Sequence, residues 1–132
     1  MRISTSLFSG AVLAACLSVP TAALADGDAA AGAKVFKKCA ACHTATEDKN
    51  KIGPTLMGIV GRPVASIEGF KYSDAMKKHA EEVPTWTEEA LYTYLHDPKG
   101  VAKGTKMIFV GLKKDQDVND VIAYLKDPSA AE

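Results

Sequence analysis

The segment Cys39-Ala40-Ala41-Cys42-His43 constrains this chain more than any other stretch of its sequence. Two thiols three positions apart can add to the two vinyl groups along one side of a porphyrin. A histidine that follows directly then presents an imidazole to the iron. This C-x-x-C-H pattern is the attachment signal of a c-type haem. We therefore expect one covalent haem (heme c) on Cys39 and Cys42, with His43 as an axial iron ligand.

The amino terminus has the organisation of a secretory signal peptide. An early arginine precedes an apolar run over residues 7–19, and Ala23–Ala25 fits the small-x-small cleavage rule. The run is too short for a comfortable membrane span. We expect removal of residues 1–25 and export of residues 26–132 to the periplasm as one domain. The alternatives are a lipid on Cys16 or an uncleaved signal that anchors the protein.

Two other uses of the cysteine pair compete with a haem. A zinc site needs two further thiolate or imidazole ligands, but His79 and His96 stand far apart without metal-ligand spacing. A thioredoxin-like redox pair would sit where a strand meets a helix in a parallel sheet. No segment shows the period-two alternation that predicts such strands. The sequence favours the haem over both alternatives.

Helical periodicity is present in four segments, and the rest of the chain predicts loops. These segments begin at Asp28, near Tyr72, at Thr85 and near Asp115 or Asp117. Asp28 is the expected N-cap of the first segment, and T-W-T-E at residues 85–88 matches a capping box. Pro98 ends the third helix, and Pro128 limits the fourth. The fold class is all-α, with about four helices and long loops that wrap one haem.

The methionines decide what fills the second axial position of the iron. Met1 leaves with the signal, and Met57 lies too close to His43 in sequence to reach the opposite haem face. Of the two that remain, Met76 lies on an apolar helix face, whereas Met107 lies in a loop after Gly104. We expect Met107 to be the sixth ligand. His/Met ligation raises the reduction potential and suits one-electron transfer.

Charge is balanced overall but uneven along the chain. Sixteen Lys and Arg residues match 16 Asp and Glu residues, so nucleic acid is not an expected partner. Lysines nevertheless surround the loop that carries Met107 (Gly104–Phe109, the methionine loop) and precede the cysteines. They are Lys99, Lys103, Lys106, Lys113, Lys114, Lys37 and Lys38. These lysines predict a basic docking face that attracts acidic partner surfaces.

Residues 26–132 resemble class I cytochromes c, close to the mitochondrial and short alphaproteobacterial types. The segments that carry the resemblance are Gly32–Thr44, Gly53–Leu56 with Gly61 and Arg62, Gly69–Ala75, Thr85 with Trp86, and Tyr94 with Leu95 through Gly104–Phe109. Two departures stand out. Lys103 replaces the proline found in many relatives, and the stretch Lys77–Pro84 is a few residues longer than in the mitochondrial type, with no function that we can assign.

The resemblance implies roles for individual residues around the haem. The Pro54 carbonyl would accept the second imidazole N–H of His43 and fix its orientation. Three polar side chains would hydrogen-bond the haem propionates: Arg62, Tyr72 and Trp86. Gly32 and Phe36 would pack the first helix against the last.

The same resemblance assigns residues to the methionine side of the haem. Tyr94 would lie beside the Met107 sulfur, and Phe109 would cover the haem edge. Thr105, in the same loop, is a further candidate cofactor-binding residue.

Together these features predict a soluble periplasmic one-electron carrier that is not an enzyme. We expect a monomer without stable membrane insertion, which docks redox proteins at its lysine-rich haem edge. The partner classes are a quinol–cytochrome c oxidoreductase, a terminal oxidase, a photosynthetic reaction centre and periplasmic redox enzymes. The alternative function is that of a haem peroxidase or a ligand-sensing haem protein, which needs an open iron position.

Overall fold

A computed structural model describes residues 26–131 of the chain. The expected signal peptide, its cleavage position and Cys16 lie outside these residues. The helices are α1 (Ala29–Phe36), α2 (Asp74–Glu82), α3 (Glu88–His96), α4 (Pro98–Val101) and α5 (Asp115–Lys126), with a final 3-10 turn at Pro128–Ala131. The only strand-like pairing among residues 26–131 is an isolated antiparallel bridge between Pro63 and Thr85. The all-α prediction is confirmed.

The first and last helices cross closely, as the resemblance implied. A side chain at Gly32 would overlap the backbone carbonyl of Asp120 in α5, so glycine permits this approach. The Phe36 and Tyr124 rings pack with centroids 5.2 Å apart. The Asp120 carboxylate accepts a hydrogen bond from the Asp28 backbone N–H at 2.8 Å. This crossing fixes the end of α1, where the cysteines follow.

The helix boundaries agree with the sequence except at α3 and α4. Asp28 and Ser73 cap α1 and α2 through their side chains. The capping-box prediction was wrong by two residues: Thr87, not Thr85, accepts the cap hydrogen bond, from the Ala90 N–H. Thr85 is in the extended bridge instead. Pro98 ends α3 as expected but also begins the short α4, because proline suits the first helical position.

An extended backbone pairing holds the loop after the cysteines against the segment before α3. The Gly61 N–H donates to the Trp86 carbonyl at 2.8 Å, and the Trp86 N–H donates to the Arg62 carbonyl at 2.9 Å. A third bond joins the Val64 N–H to the Pro84 carbonyl at 2.9 Å. These bonds place Arg62 beside Trp86, although the two are far apart in sequence.

None of the helices within residues 26–131 has both the length and the apolar character to cross a membrane.

Candidate functional site

The two cysteines lie in a near-helical turn that continues from α1. The Cys39 N–H donates to the Phe36 carbonyl at 2.7 Å, and the His43 N–H donates to the Cys39 carbonyl at 2.9 Å. Cys39 and Cys42 are free and half-buried. Burial raises the pKa of the Cys39 thiol, and the nearby Lys38 charge partly opposes this. The turn therefore presents both thiols and the following imidazole from one rigid piece of backbone.

The His43 ring is held by one hydrogen bond and one close backbone approach. Its Nδ1 lies 2.7 Å from the Pro54 carbonyl oxygen, and a carbonyl can only accept, so Nδ1 carries the proton. Burial lowers the pKa of His43, while the bond to Pro54 opposes this. The neutral ring thus keeps the lone pair on Nε2, which is the form that binds a metal. Gly53 lies so close that a Cβ there would overlap the ring.

The Arg62 guanidinium is fixed by backbone carbonyls but retains an unused donor. Its Nη2 donates to the Thr55 carbonyl at 2.9 Å and its Nη1 donates to the Met57 carbonyl at 3.1 Å. Its Nε is buried without a hydrogen-bond partner. Burial lowers the pKa of Arg62, and the nearby Tyr72 opposes this. The Tyr72 hydroxyl in turn accepts from the Ile67 N–H at 3.1 Å.

A second group of contacts links Trp86 to the methionine loop. The Trp86 and Tyr94 rings lie 5.0 Å apart and both are buried. Burial raises the pKa of the Tyr94 hydroxyl, and a hydrogen bond with the Thr105 side chain opposes this. The Thr105 hydroxyl accepts from the Met107 N–H at 3.3 Å. These contacts bring four of the candidate residues into one cluster.

Met107 and Phe109 pack against the core, whereas the residue between them faces solvent. Both are half-buried in contact with the main hydrophobic cluster, but Ile108 is 86% exposed. The other methionines differ: Met57 is 43% exposed, and Met76 packs against the core from α2. The loop thus turns two side chains inward and leaves an apolar group at the surface.

The residues present fit a c-type haem. Two thiols and an imidazole with a free Nε2 come from one turn, and Met107 offers a soft sulfur ligand of the kind that cytochromes use. The unused Nε donor of Arg62, a residue whose backbone pairs with that of Trp86, suits an anionic carboxylate such as a haem propionate. A buried donor without a partner is costly, so a bound carboxylate would stabilise this corner.

The sequence did not single out His79 as a haem-site residue. This side chain is only 7% exposed, and its ring centroid lies 5.5 Å from that of Trp86 and 6.1 Å from that of Tyr94. In the sequence it was considered only as a zinc ligand, although it lies three residues after Met76, on the helix face that Met76 predicts to be apolar. A polar residue on an apolar helix face was the signal that could have identified it.

The two alternative uses of the cysteines find no support in the described part of the chain. Across residues 26–131, no group of three or more His, Cys, Asp and Glu side chains is arranged to hold a metal ion. The same residues contain only one isolated bridge rather than a parallel sheet. A zinc cluster and a thioredoxin-like site both need features that these residues do not supply.

Comparison with known proteins gives consistent results. Residues 29–128 match the family model described as Cytochrome c. The chain is 53% identical over 98 residues to cytochrome c-550 of Ancylobacter novellus, which covers 74% of this chain and 92% of that protein. It is 49% identical over 115 residues to cytochrome c2 of Blastochloris viridis, covering 86% and 88%. Among solved structures, it is similar to cytochrome cH from Methylobacterium extorquens, with a TM-score of 0.69, 46% identity, and coverage of 76% and 98%.

Proposed function

The chain belongs to the class I cytochrome c family, and from this premise we propose that it shuttles electrons between redox complexes of the periplasm. It carries one covalently attached haem c and is an electron carrier, not an enzyme. The observation that best supports the details is the turn from Cys39 to His43, with the His43 ring fixed by Pro54 at 2.7 Å. Such fixed geometry keeps reorganisation small during electron transfer.

When bound, the haem supplies an iron that changes its charge by one. In our proposal, Cys39 and Cys42 hold the porphyrin and His43 binds the iron through Nε2. Met107 supplies the second axial ligand from the loop, which Thr105 and Tyr94 hold in place. The buried donors of Arg62, Tyr72 and Trp86 bind the propionates, and Phe109 covers the haem edge.

The ligand assignment is tested by replacing each methionine. Met107→Ala should abolish the sulfur-to-iron charge-transfer band of the oxidised protein, because no thioether then reaches the iron. Met57→Ala and Met76→Ala are matched controls and should retain the band. Haem staining after denaturing electrophoresis should be positive for all three variants and negative for a Cys39→Ala, Cys42→Ala double variant. A band that survives in Met107→Ala would refute the assignment.

The proposed docking face combines an exposed apolar centre with a basic rim. Ile108 and Val110 are 86% and 66% exposed, and the surrounding lysines Lys99, Lys103, Lys106, Lys113 and Lys114 are all exposed. Such a surface favours fast association with acidic redox proteins. We expect the bimolecular rate of electron transfer to a purified oxidase or oxidoreductase to fall as ionic strength rises. A rate that is indifferent to salt would contradict this docking mode.

The peroxidase or sensor alternative makes an opposite prediction about the iron. It requires an open position, so the reduced protein would bind carbon monoxide rapidly at neutral pH. The carrier that we propose should not bind it, because Met107 occupies that position. Met107→Ala serves as the positive control and should bind carbon monoxide.

Export to the periplasm and removal of residues 1–25 form the remaining part of the proposal. Mass spectrometry of the protein from a periplasmic fraction should give a chain that starts at Asp26 and carries the mass of one haem. A diacylglycerol on Cys16 would instead establish a membrane-attached lipoprotein. An intact chain in the membrane fraction would indicate an uncleaved anchor.

A further inference from the structure

Two buried side-chain polar atoms of the described residues lack a hydrogen-bond partner, and each belongs to a residue that contacts Trp86. They are Nε of Arg62 and Nε2 of His79. Arg62 adjoins Trp86 through the backbone bond from the Trp86 N–H to the Arg62 carbonyl, at 2.9 Å. His79 adjoins it through ring contact, with centroids 5.5 Å apart. Buried polar groups in native proteins nearly always have a partner, so this corner of the site is built to receive one.

His79 is held in place by packing alone. Its ring lies nearly parallel to that of Tyr94, at an interplanar angle of 23°, and is tilted by 45° to Trp86. Burial lowers the pKa of His79, and the negative charge of Glu82 weakly opposes this. The imidazole therefore sits in an environment whose protein groups disfavour a positive charge.

The groups that face His79 offer no acceptor to its Nε2. On its own helix the nearest charge is that of Glu82, which makes no hydrogen bond to the ring. From α3 the facing titratable group is Tyr94, whose hydroxyl is engaged with Thr105. From the segment before α3 the facing group is Trp86, whose indole N–H can only donate. A ligand group that satisfies Nε2 must come from outside the described protein atoms.

We propose that His79 Nε2–H donates a hydrogen bond to a haem carboxylate beside Trp86, and that this bond makes His79 a redox-linked proton site. The proposal rests on the proposed function, because it requires the haem. The same carboxylate, placed between Arg62 and His79, accounts for both unpartnered donors. It also gives the longer stretch Lys77–Pro84 a role, since that stretch contains His79, the buried residue of α2.

The expected linkage follows from charge. Reduction by one electron from a redox partner lowers the net charge at the iron by one. His79 then binds a solvent proton more tightly, so its pKa is higher in the ferrous protein than in the ferric one. By reciprocity, the reduction potential must fall as pH rises through these two pKa values. Each electron takes up at most one proton at this site.

The test is a reduction-potential titration of the haem-containing protein across about pH 4 to 9. The wild type should show the fall in potential. His79→Gln retains an amide N–H near the position of Nε2 but cannot titrate, so its potential should fall much less with pH than that of the wild type. His96→Gln is the matched control, because His96 is paired instead with Asp115 at 3.1 Å. Its reduction potential should fall with pH as steeply as that of the wild type.

A second measurement keeps the proposal testable if His79→Gln does not fold. NMR titration of the wild-type imidazoles should give a higher His79 pKa in the ferrous than in the ferric protein. Equal pKa values for His79 in the ferrous and ferric protein would overturn the inference. A reduction potential that falls with pH as steeply in His79→Gln as in the wild type would also overturn it. If the haem is reduced reversibly by one electron but its potential does not change with pH, this inference alone is refuted. If the haem cannot be reduced reversibly, the carrier function itself is refuted.

Discussion

At the scale of single residues, the site depends on backbone that lies very close to functional side chains. His43 is held between the Pro54 carbonyl and the backbone of Gly53. The hydrogen bond selects the tautomer, and the glycine leaves room for the ring. Because both contacts are with main-chain atoms of a short loop, neither can change unless the backbone moves.

Gly53→Ala should therefore destabilise the haem-containing protein. The added Cβ would overlap the His43 ring, and overpacking of this kind costs about 1–3 kcal/mol. Denaturant unfolding and the yield of covalent haem measure the effect. Gly58→Asn is the control, because nothing lies near a Cβ at Gly58 and asparagine tolerates its positive φ. Equal stability of Gly53→Ala and the wild type would show that the ring is not confined there.

Tyr94 should contribute to a loss of stability at high pH. Burial raises the pKa of its hydroxyl above the usual value of 10.0, so the unfolded chain ionises first as pH rises. Between the two pKa values the unfolded state binds fewer protons, and the free energy of unfolding falls with pH. Tyr94→Phe should show a shallower fall between about pH 9 and 11, measured by urea unfolding. A fall as steep as that of the wild type would contradict this.

At the scale of helices, side-chain N-caps mark where α1 to α4 begin. Ser73 and Thr87 both accept a backbone N–H three residues ahead. Because Thr87 is the cap, α3 starts at Glu88 and leaves Thr85 and Trp86 extended. The extended geometry lets Trp86 pair with Arg62, so the helix start also determines part of the proposed haem site.

Thr87→Ala should cost about 0.5–2 kcal/mol of unfolding free energy, the usual loss for an N-cap. Thr85→Ala is the matched control and should cost less, since no side-chain hydrogen bond from Thr85 caps the helix. Thermal and urea unfolding of both variants measure the difference. A larger loss of stability in Thr85→Ala than in Thr87→Ala would support Thr85 as the N-cap, as the capping box predicted.

In Gly32→Ala, helix propensity and packing of α1 have opposite effects on the stability of the protein. Alanine improves helix propensity by about 1 kcal/mol, but its Cβ would overlap the Asp120 carbonyl in α5. We expect packing to dominate and the protein to lose stability, because the overlap is with backbone rather than a movable side chain. Ala30→Gly, at an exposed position of the same helix, measures the propensity contribution alone. A stabilised Gly32→Ala would show that the helices can separate at little cost.

At the scale of the whole molecule, charge is balanced but its local distribution is not. Replacing Lys103 and Lys106 by Glu should reduce the rate of electron transfer to an acidic partner by about tenfold or more at low salt. Lys78→Glu with Lys77→Glu, on α2, is the matched control for net charge and should have a smaller effect. Stopped-flow kinetics at several ionic strengths measure both. Equal losses in the two double variants would locate the docking face elsewhere.

Much of this molecule is predictable because its strongest signals are local. The C-x-x-C-H segment needs only five consecutive residues to specify its chemistry, and helical periodicity located α1, α2 and α5 closely. The errors arose where local signals were ambiguous. T-W-T-E contains two threonines that can each cap a helix, and the pairing of Thr85 with Pro63 decided between them.

The sequence by itself determined the haem attachment, the all-α class and the family, because these follow from short motifs and their spacing. Only the tertiary structure decided which polar groups meet. Arg62, Trp86 and His79 come from a loop, an extended segment and a helix, and their convergence depends on long-range backbone pairing and ring packing. No local pattern encodes that convergence, since burial and an unsatisfied donor are properties of the folded chain alone.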